Sequence, residues 1–133
     1  VLRRVMRILL DTHVLIWLAS RPDRLSKDAR AALASPDNEI MFSAASIWEL
    51  AIKSQLGRVS FDMPLDEIAT AMSVNGFAEL PVRSSAASRV ARLPLYHRDP
   101  FDRLLVAQSL DEAAYLFTAD AKLVQYSENV RLL

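Results

Sequence analysis

The four residues from Ile8 carry the tightest constraint in this chain. Ile8, Leu9 and Leu10 run together without alternation and stop at a carboxylate, Asp11. An unbroken aliphatic run of this length reads as a short strand buried on both faces, as in a parallel sheet. Thr12 and His13 follow, and Val14-Leu15-Ile16-Trp17-Leu18 resumes the apolar pattern on a helix. An acid at the carboxyl end of a buried parallel strand stands where open α/β sheets place ligands. Any chemistry built there needs other polar groups that fold back to Asp11.

Short apolar runs alternate with helical patterns through the rest of the chain. A helix is expected from Thr12 to about Ser20, and a second after Ser26, which caps it. Ser35-Pro36-Asp37-Asn38 is a turn and Glu39–Ser43 a second strand. Ala44–Leu56 is a helix closed by Gly57 in the left-handed conformation. Val59–Pro64 reads as loop and Leu65–Val74 as helix. Phe77–Val82 reads as a third strand, with Pro81 marking an edge. A short helix, Ser84–Arg92, and a loop to Arg98 precede the best-formed helix, Pro100–Ala113. Ala114–Thr118 is a fourth strand, Ala121–Tyr126 a short helix and Val130–Leu133 a fifth strand. The pattern predicts an α/β fold: a central parallel sheet of four to five strands with helices on both faces.

The 133 residues suffice for a single domain, 1–133, with its own core. Residues 1–5 are expected to be a flexible leader, with Met6 a second candidate start. The first twenty residues imitate an export signal, but Asp11 and His13 interrupt the apolar region that such a signal requires. No apolar run approaches a membrane span, so no membrane association is expected. The absence of Cys excludes disulfides, thiolate metal sites and a Cys nucleophile, and suits a reducing cytoplasm. Lys plus Arg balances Asp plus Glu at 16 each, which argues against indiscriminate coating of nucleic acid.

Four acids are candidates for one site. Asp120 repeats the logic of Asp11: a strand ends, a hydroxyl residue (Thr118) appears, and an Asp opens a helix. Asp102 lies at the start of a helix in Asp99-Pro100-Phe101-Asp102. Glu49 lies inside a helix with apolar residues on nearly every side, where an ionised Glu needs a cation or a donor. Each acid also has a structural reading. Asp11, Asp99 and Asp120 fit as helix N-caps, Asp102 as a capping-box acid reaching back to Asp99, and Glu49 as a partner for Lys53 one turn on. Junctions between strand and helix in a parallel sheet open on one edge, however, and carboxylates gathered there repel. Hard Mg²⁺ or Mn²⁺, which takes oxygen ligands, removes that conflict.

The stretches Leu9–Leu15, Ser43–Lys53, His97–Leu105 and Thr118–Asp120 resemble, in order and spacing, the motifs of PIN-domain proteins, closest to the VapC-like toxins of bacterial toxin–antitoxin pairs. The resemblance spans nearly the whole chain. It implies that Asp11, Glu49, Asp102 and Asp120 form a metal site, with Thr118 beside it and Asp99 in support. It implies metal-dependent hydrolysis of RNA phosphodiester bonds, a cognate antitoxin that holds the enzyme inactive, and a homodimer. Arg98 and Arg103 are candidates to guide the phosphate backbone, and equally read as solvated charges flanking the helix; His97 and His13 receive no role. Trp17, Ile47, Trp48 and Leu56 supply large apolar side chains for core or for a dimer face. Two alternatives remain: a phosphotransfer enzyme with Asp11 as nucleophile, and a binding module of the same fold without turnover.

Overall fold

In the computed structural model, which describes residues 5–59 and 64–133, the run that ends at Asp11 is the middle strand of one sheet. Strand β1 (Arg7–Leu10) is flanked by β2 (Glu39–Ser43) and β4 (Tyr115–Thr118), with β3 (Ala78–Leu80) and β5 (Val130–Leu132) at the edges. All four pairings are parallel. The helices are α1 (Thr12–Ser20), α2 (Lys27–Ala34), α3 (Ala44–Gln55), α4 (Leu65–Val74), α5 (Ser84–Arg89) and α6 (Pro100–Asp111). Single 3₁₀ segments occupy Pro22–Arg24, Val90–Arg92 and Ala121–Tyr126.

Because both faces of β1 are covered, its side chains alternate between two cores. Ile8 and Leu10 join Ile40, Phe42 and Phe117 under α1 to α4, with Val14, Leu15, Leu50, Ile68 and Met72. Leu9 joins Met41 and Leu116 on the other face, under Leu105 and Val106 of α6. The register sets Leu9 beside Met41 and Leu116, and Leu10 beside Phe42 and Phe117. This is why the run carries no polar alternation. Gln108 of α6 joins helix to sheet: its Oε1 accepts from the Ser43 hydroxyl at 2.7 Å, and its Nε2 donates to the Pro81 carbonyl.

The chain starts at the centre, winds outward through β2 and β3, then returns to β4 and β5. The crevice between β1 and β4 is therefore the topological switch point, where ligands bind in open sheets of this kind. Asp11 and Thr118 close these two strands, and the Asp11 N–H donates to the Phe117 carbonyl at 2.9 Å.

Element ends differ from the sequence expectations by a residue or two, for local reasons. β3 is shorter than Phe77–Val82 and stops before Pro81, which has no N–H to give; it is an edge strand, as Pro81 suggested. Ser84–Arg92 divides into α5 and a 3₁₀ turn, and the short helix Ala121–Tyr126 is of the 3₁₀ type. Of the expected loop Val59–Pro64, residues 60–63 lie outside the described residues, as do residues 1–4 of the expected leader.

Three helices end in the same paired-bond motif. After α3, Gly57 (φ +72°) and Arg58 donate to the Ser54 and Lys53 carbonyls, and α4 ends likewise at Gly76 (φ +90°). After α6 the left-handed position is held by Ala113 (φ +50°), with Ala113 and Ala114 donating to Leu110 and Ser109. A Cβ is unfavourable there. Ala113→Gly is accordingly expected to stabilise the protein by about 0.5–1 kcal/mol, the relief of strain being partly offset by a more flexible unfolded chain. Thermal melts check this, with an expected rise in Tm of about 2–5 °C.

Candidate functional site

Asp11 is at once a helix cap and the floor of the site. One carboxylate oxygen accepts from the Val14 N–H at 2.8 Å, capping α1. The other accepts from the Thr118 hydroxyl and from the Ala119 N–H. The side chain is buried, and burial pushes its carboxyl above the usual carboxylate range, against the pull of these donors. Thr118 is the hinge of this arrangement. Its hydroxyl donates to Asp11 and accepts from the Asp120 N–H at 3.0 Å, so the end of β4 sets both acids together.

Glu49 reaches the same place from α3. The residue is 4% exposed. Its Oε1 accepts from the Thr12 hydroxyl at 2.7 Å and its Oε2 from Lys53 Nζ at 2.6 Å. Thr12 has one hydroxyl proton, so Ser46, 3.0 Å away, is the donor in the third link of this chain. The two sequence readings of Glu49 are thus compatible: it pairs with Lys53, and it does so beside the residue that follows Asp11. Lys53 is held well into its charged form by Glu49 first, with Asp99 and Asp102 adding to the field.

The α6 acids divide their work. Asp99 caps the helix, accepting from the Phe101 and Asp102 N–H groups at 2.8 and 3.2 Å. The reciprocal capping-box bond from Asp102 is not made: the Asp99 N–H donates instead to His97 Nδ1 at 3.0 Å. The Asp102 carboxylate is left facing the other acids. Burial, followed by repulsion from Asp99 and Glu49, raises its pKa to about 7. Asp120 caps the following 3₁₀ turn through the Lys122 N–H and meets His97 Nε2 at 2.7 Å. Partial burial opposes its ionisation, but the Lys122 N–H and His97 outweigh that and lower its pKa.

Asp99, Glu49 and Asp11 all act on the Asp102 carboxyl, and a carboxylate oxygen of Asp120 lies within 4.8 Å of one from Asp102, at the carboxyl edge of the sheet. The donor set fits a hard divalent cation. It offers carboxylate oxygens without thiolate, and the Asp102 carboxyl, raised first by burial and then by the charges of Asp99 and Glu49, faces like charges that a cation would neutralise.

Two sequence expectations change. Arg103, a candidate phosphate guide, is buried, and its guanidinium is spent on the loop before α6: it donates to the Pro94 and Val90 carbonyls and to the Tyr126 hydroxyl. Arg98 is the exposed one of the pair. His97, given no role, lies among the acids; the signal for it was its place two residues before the Asp99 cap. Among the four large apolar candidates, Trp17 and Ile47 pack against the core, whereas Trp48 and Leu56 are 62% and 61% exposed. An apolar groove of about 590 Å³ lined by Leu18, Leu33, Ile68, Met72 and Phe77 lies apart from the acids, none of which lines it.

A PIN-domain family model matches residues 8–129. The chain is 32% identical over 120 residues to Ribonuclease VapC22 of Mycobacterium tuberculosis (strain ATCC 25618 / H37Rv), covering 87% of this chain and 88% of that protein. Its fold is similar to VapBC2 from Rickettsia felis bound to a DNA fragment from their promoter, with a TM-score of 0.67 at 16% identity over 96% of this chain and 98% of that one. It is similar also to FitAcB from Neisseria gonorrhoeae, with a TM-score of 0.62 at 19% identity over 91% and 93% of the two chains. At these identities the likeness to the solved structures is one of fold.

The raised Asp102 carboxyl makes the site a pH-dependent weakness when no cation is bound. Its folded pKa of about 7 lies above the ordinary 3.8. Its contribution to stability is therefore complete below about pH 4 and is lost as pH rises through 7. In EDTA, Asp102→Asn is expected to raise Tm at pH 8 and to change it little at pH 4. Equal shifts at the two pH values would contradict this origin.

Proposed function

The chain belongs to the PIN-domain family, and from that premise we propose that it is an endoribonuclease toxin, dependent on Mg²⁺ or Mn²⁺ and neutralised by a cognate antitoxin. The observation that carries this reading is the meeting of Asp11, Glu49, Asp102 and Asp120, from four separate stretches of sequence, beside the β1–β4 crevice. The likeness to a ribonuclease over 87% of the chain supports it.

Asp11, Glu49, Asp102 and Asp120 are the carboxylates that would hold the cation. When bound, such an ion lowers the pKa of a coordinated water and stabilises charge on a phosphate oxygen. The chain supplies the rest. Thr118 and the Ala119 N–H fix Asp11, so its carboxylate does not rotate. Thr12 and Lys53 fix Glu49. Asp11 or Asp120 orients the attacking water, whose oxygen bonds to phosphorus as the bond to the ribose 3′-oxygen breaks. The products are a 5′-phosphate and a free 3′-hydroxyl, and the 2′-hydroxyl takes no part as nucleophile. Exposed Arg98, between His97 and Asp99, suits the phosphate backbone. The phosphoaspartate alternative loses support, because it favours a second acid two residues after Asp11, and exposed His13, edge-on to Trp17, stands there instead.

The partners follow from the same reading. Structural neighbours include a toxin–antitoxin complex from Klebsiella pneumoniae, with a TM-score of 0.60 at 22% identity over 93% and 95% of the chains. An antitoxin is the expected partner here, and the cytoplasm the expected place. Exposed Trp48 on α3 and Leu56 just after it, with Trp48 edge-on to Phe101 at 5.3 Å, support a second copy as the other partner. No helix among the described residues is long and apolar enough to cross a membrane.

Purified protein is expected to cut structured RNA in Mn²⁺ and to stop in EDTA. Asp11→Asn should lower the rate by about 100-fold or more. Cleavage that survives both treatments would overturn the reading. On a sizing column with light scattering, the wild type is expected to run as a dimer and Trp48→Lys as a monomer; a dimer unaffected by the change would remove α3 from the interface.

A further inference from the structure

The His97 ring is engaged at both nitrogens. Nδ1 lies 3.0 Å from the Asp99 backbone nitrogen, and an amide N–H only donates, so Nδ1 is an acceptor. A neutral imidazole carries one proton, which then sits on Nε2. Nε2 lies 2.7 Å from Asp120 Oδ2 and 3.5 Å from Asp102 Oδ2. The ring therefore donates to Asp120 and faces Asp102. Its own backbone is anchored as well. The His97 N–H donates to the Tyr126 hydroxyl at 3.0 Å, and that oxygen also accepts from Arg103 Nη1 at 3.2 Å. Arg103 binds the Pro94 and Val90 carbonyls of the same loop.

By spacing alone, His97, Asp102 and Asp120 suit a three-ligand metal site, with one donor atom from each lying within 4.8 Å of the others. The protonation argues otherwise. Ligation through Nε2 would move the proton to Nδ1, setting two hydrogens against each other across 3.0 Å at Asp99. Asp120 depends on this ring for its second oxygen. Its Oδ1 takes the cap bond from the Lys122 N–H, and among the described residues only His97 meets Oδ2, in a side chain that is 36% exposed and otherwise free to turn into solvent.

We propose that His97 is a positioning residue: Arg103 and Tyr126 hold the loop, the Asp99 N–H fixes the ring tautomer, and the Nε2–H holds the Asp120 carboxylate beside Asp102. His97 gives no ligand atom. An acid oriented in advance loses less freedom when a cation arrives, and partners of this kind are worth about 10–100-fold in metal affinity. The inference rests on the reading of Asp102 and Asp120 as cation ligands.

The chain has two histidines, so a long-range ¹H–¹⁵N spectrum shows two imidazoles, and His13→Gln assigns them. The proposal expects the Nε2–H tautomer at His97; the Nδ1–H pattern overturns it. Two substitutions then separate the ring's tasks, read by Mn²⁺ calorimetry on the full chain together with Tm. His97→Asn keeps an acceptor for the Asp99 N–H but stops short of Asp120. His97→Gln keeps a donor for Asp120 but gives up the Nδ1 acceptor. The expected result is Mn²⁺ binding weakened about 10-fold or more in the Asn variant and within about 3-fold of wild type in the Gln variant. The reverse order would mean that the ring serves the loop alone. Equal losses would mean that it is a ligand after all, and no loss that it holds nothing; each overturns the proposal. If the wild type itself binds no Mn²⁺, the nuclease reading fails, and the positioning role with it.

Discussion

The Thr118 hydroxyl donating to Asp11 joins two strand ends that lie 107 residues apart in sequence. This contact depends on the parallel order of the sheet, because only then do β1 and β4 finish side by side at the same edge. A buried hydrogen bond to a charged group is worth about 1.5–3 kcal/mol. Its larger effect is on geometry. Thr118 also receives the Asp120 N–H, so one hydroxyl fixes the spacing between two acids. Around that fixed point, α3 brings Glu49 through Thr12, and α6 brings Asp102 behind its Asp99 cap.

Several carboxylates so placed oppose folding. Two like charges about 4 Å apart repel by about 4 kcal/mol at an effective dielectric near 20. The protein meets this in three ways. Lys53 neutralises Glu49 directly. Backbone N–H groups at helix and turn starts cap Asp11, Asp99 and Asp120. Asp102 accepts no such bond among the described residues, and burial, followed by repulsion from Asp99 and Glu49, raises its pKa to about 7. The acid left with the least compensation is also the one that a cation bound there would relieve most.

Much of this was legible in the sequence because buried strands and helix ends leave short-range marks. The run Ile8–Leu10, the caps Ser26 and Asp99, Gly57 after α3 and Pro81 at an edge each have one local meaning, and each is found where it was read. Asp11 and Asp120 could be placed at strand ends for the same reason. Contacts made across the fold left no such mark. Arg103 looks like any helix-flank cation in sequence, and only the loop Val90–Pro94 folding over it turns it inward. His97 has no periodicity to declare its neighbours. Glu49 and Lys53 one turn apart allowed an ion pair, and the apolar neighbours of Glu49 asked for a donor, but nothing local named Thr12 as that donor. Ala113 in a left-handed conformation carries no signal, since the residue expected there is glycine.

The account turns on side-chain oxygens from four distant stretches meeting to hold one kind of ion. Crystals soaked in Mn²⁺ and measured at the manganese absorption edge test that most directly. The account predicts an anomalous peak between the carboxylates of Asp11, Asp102 and Asp120, near Glu49, that is absent in Asp11→Asn. A peak elsewhere on the surface, or none among these acids, would contradict it.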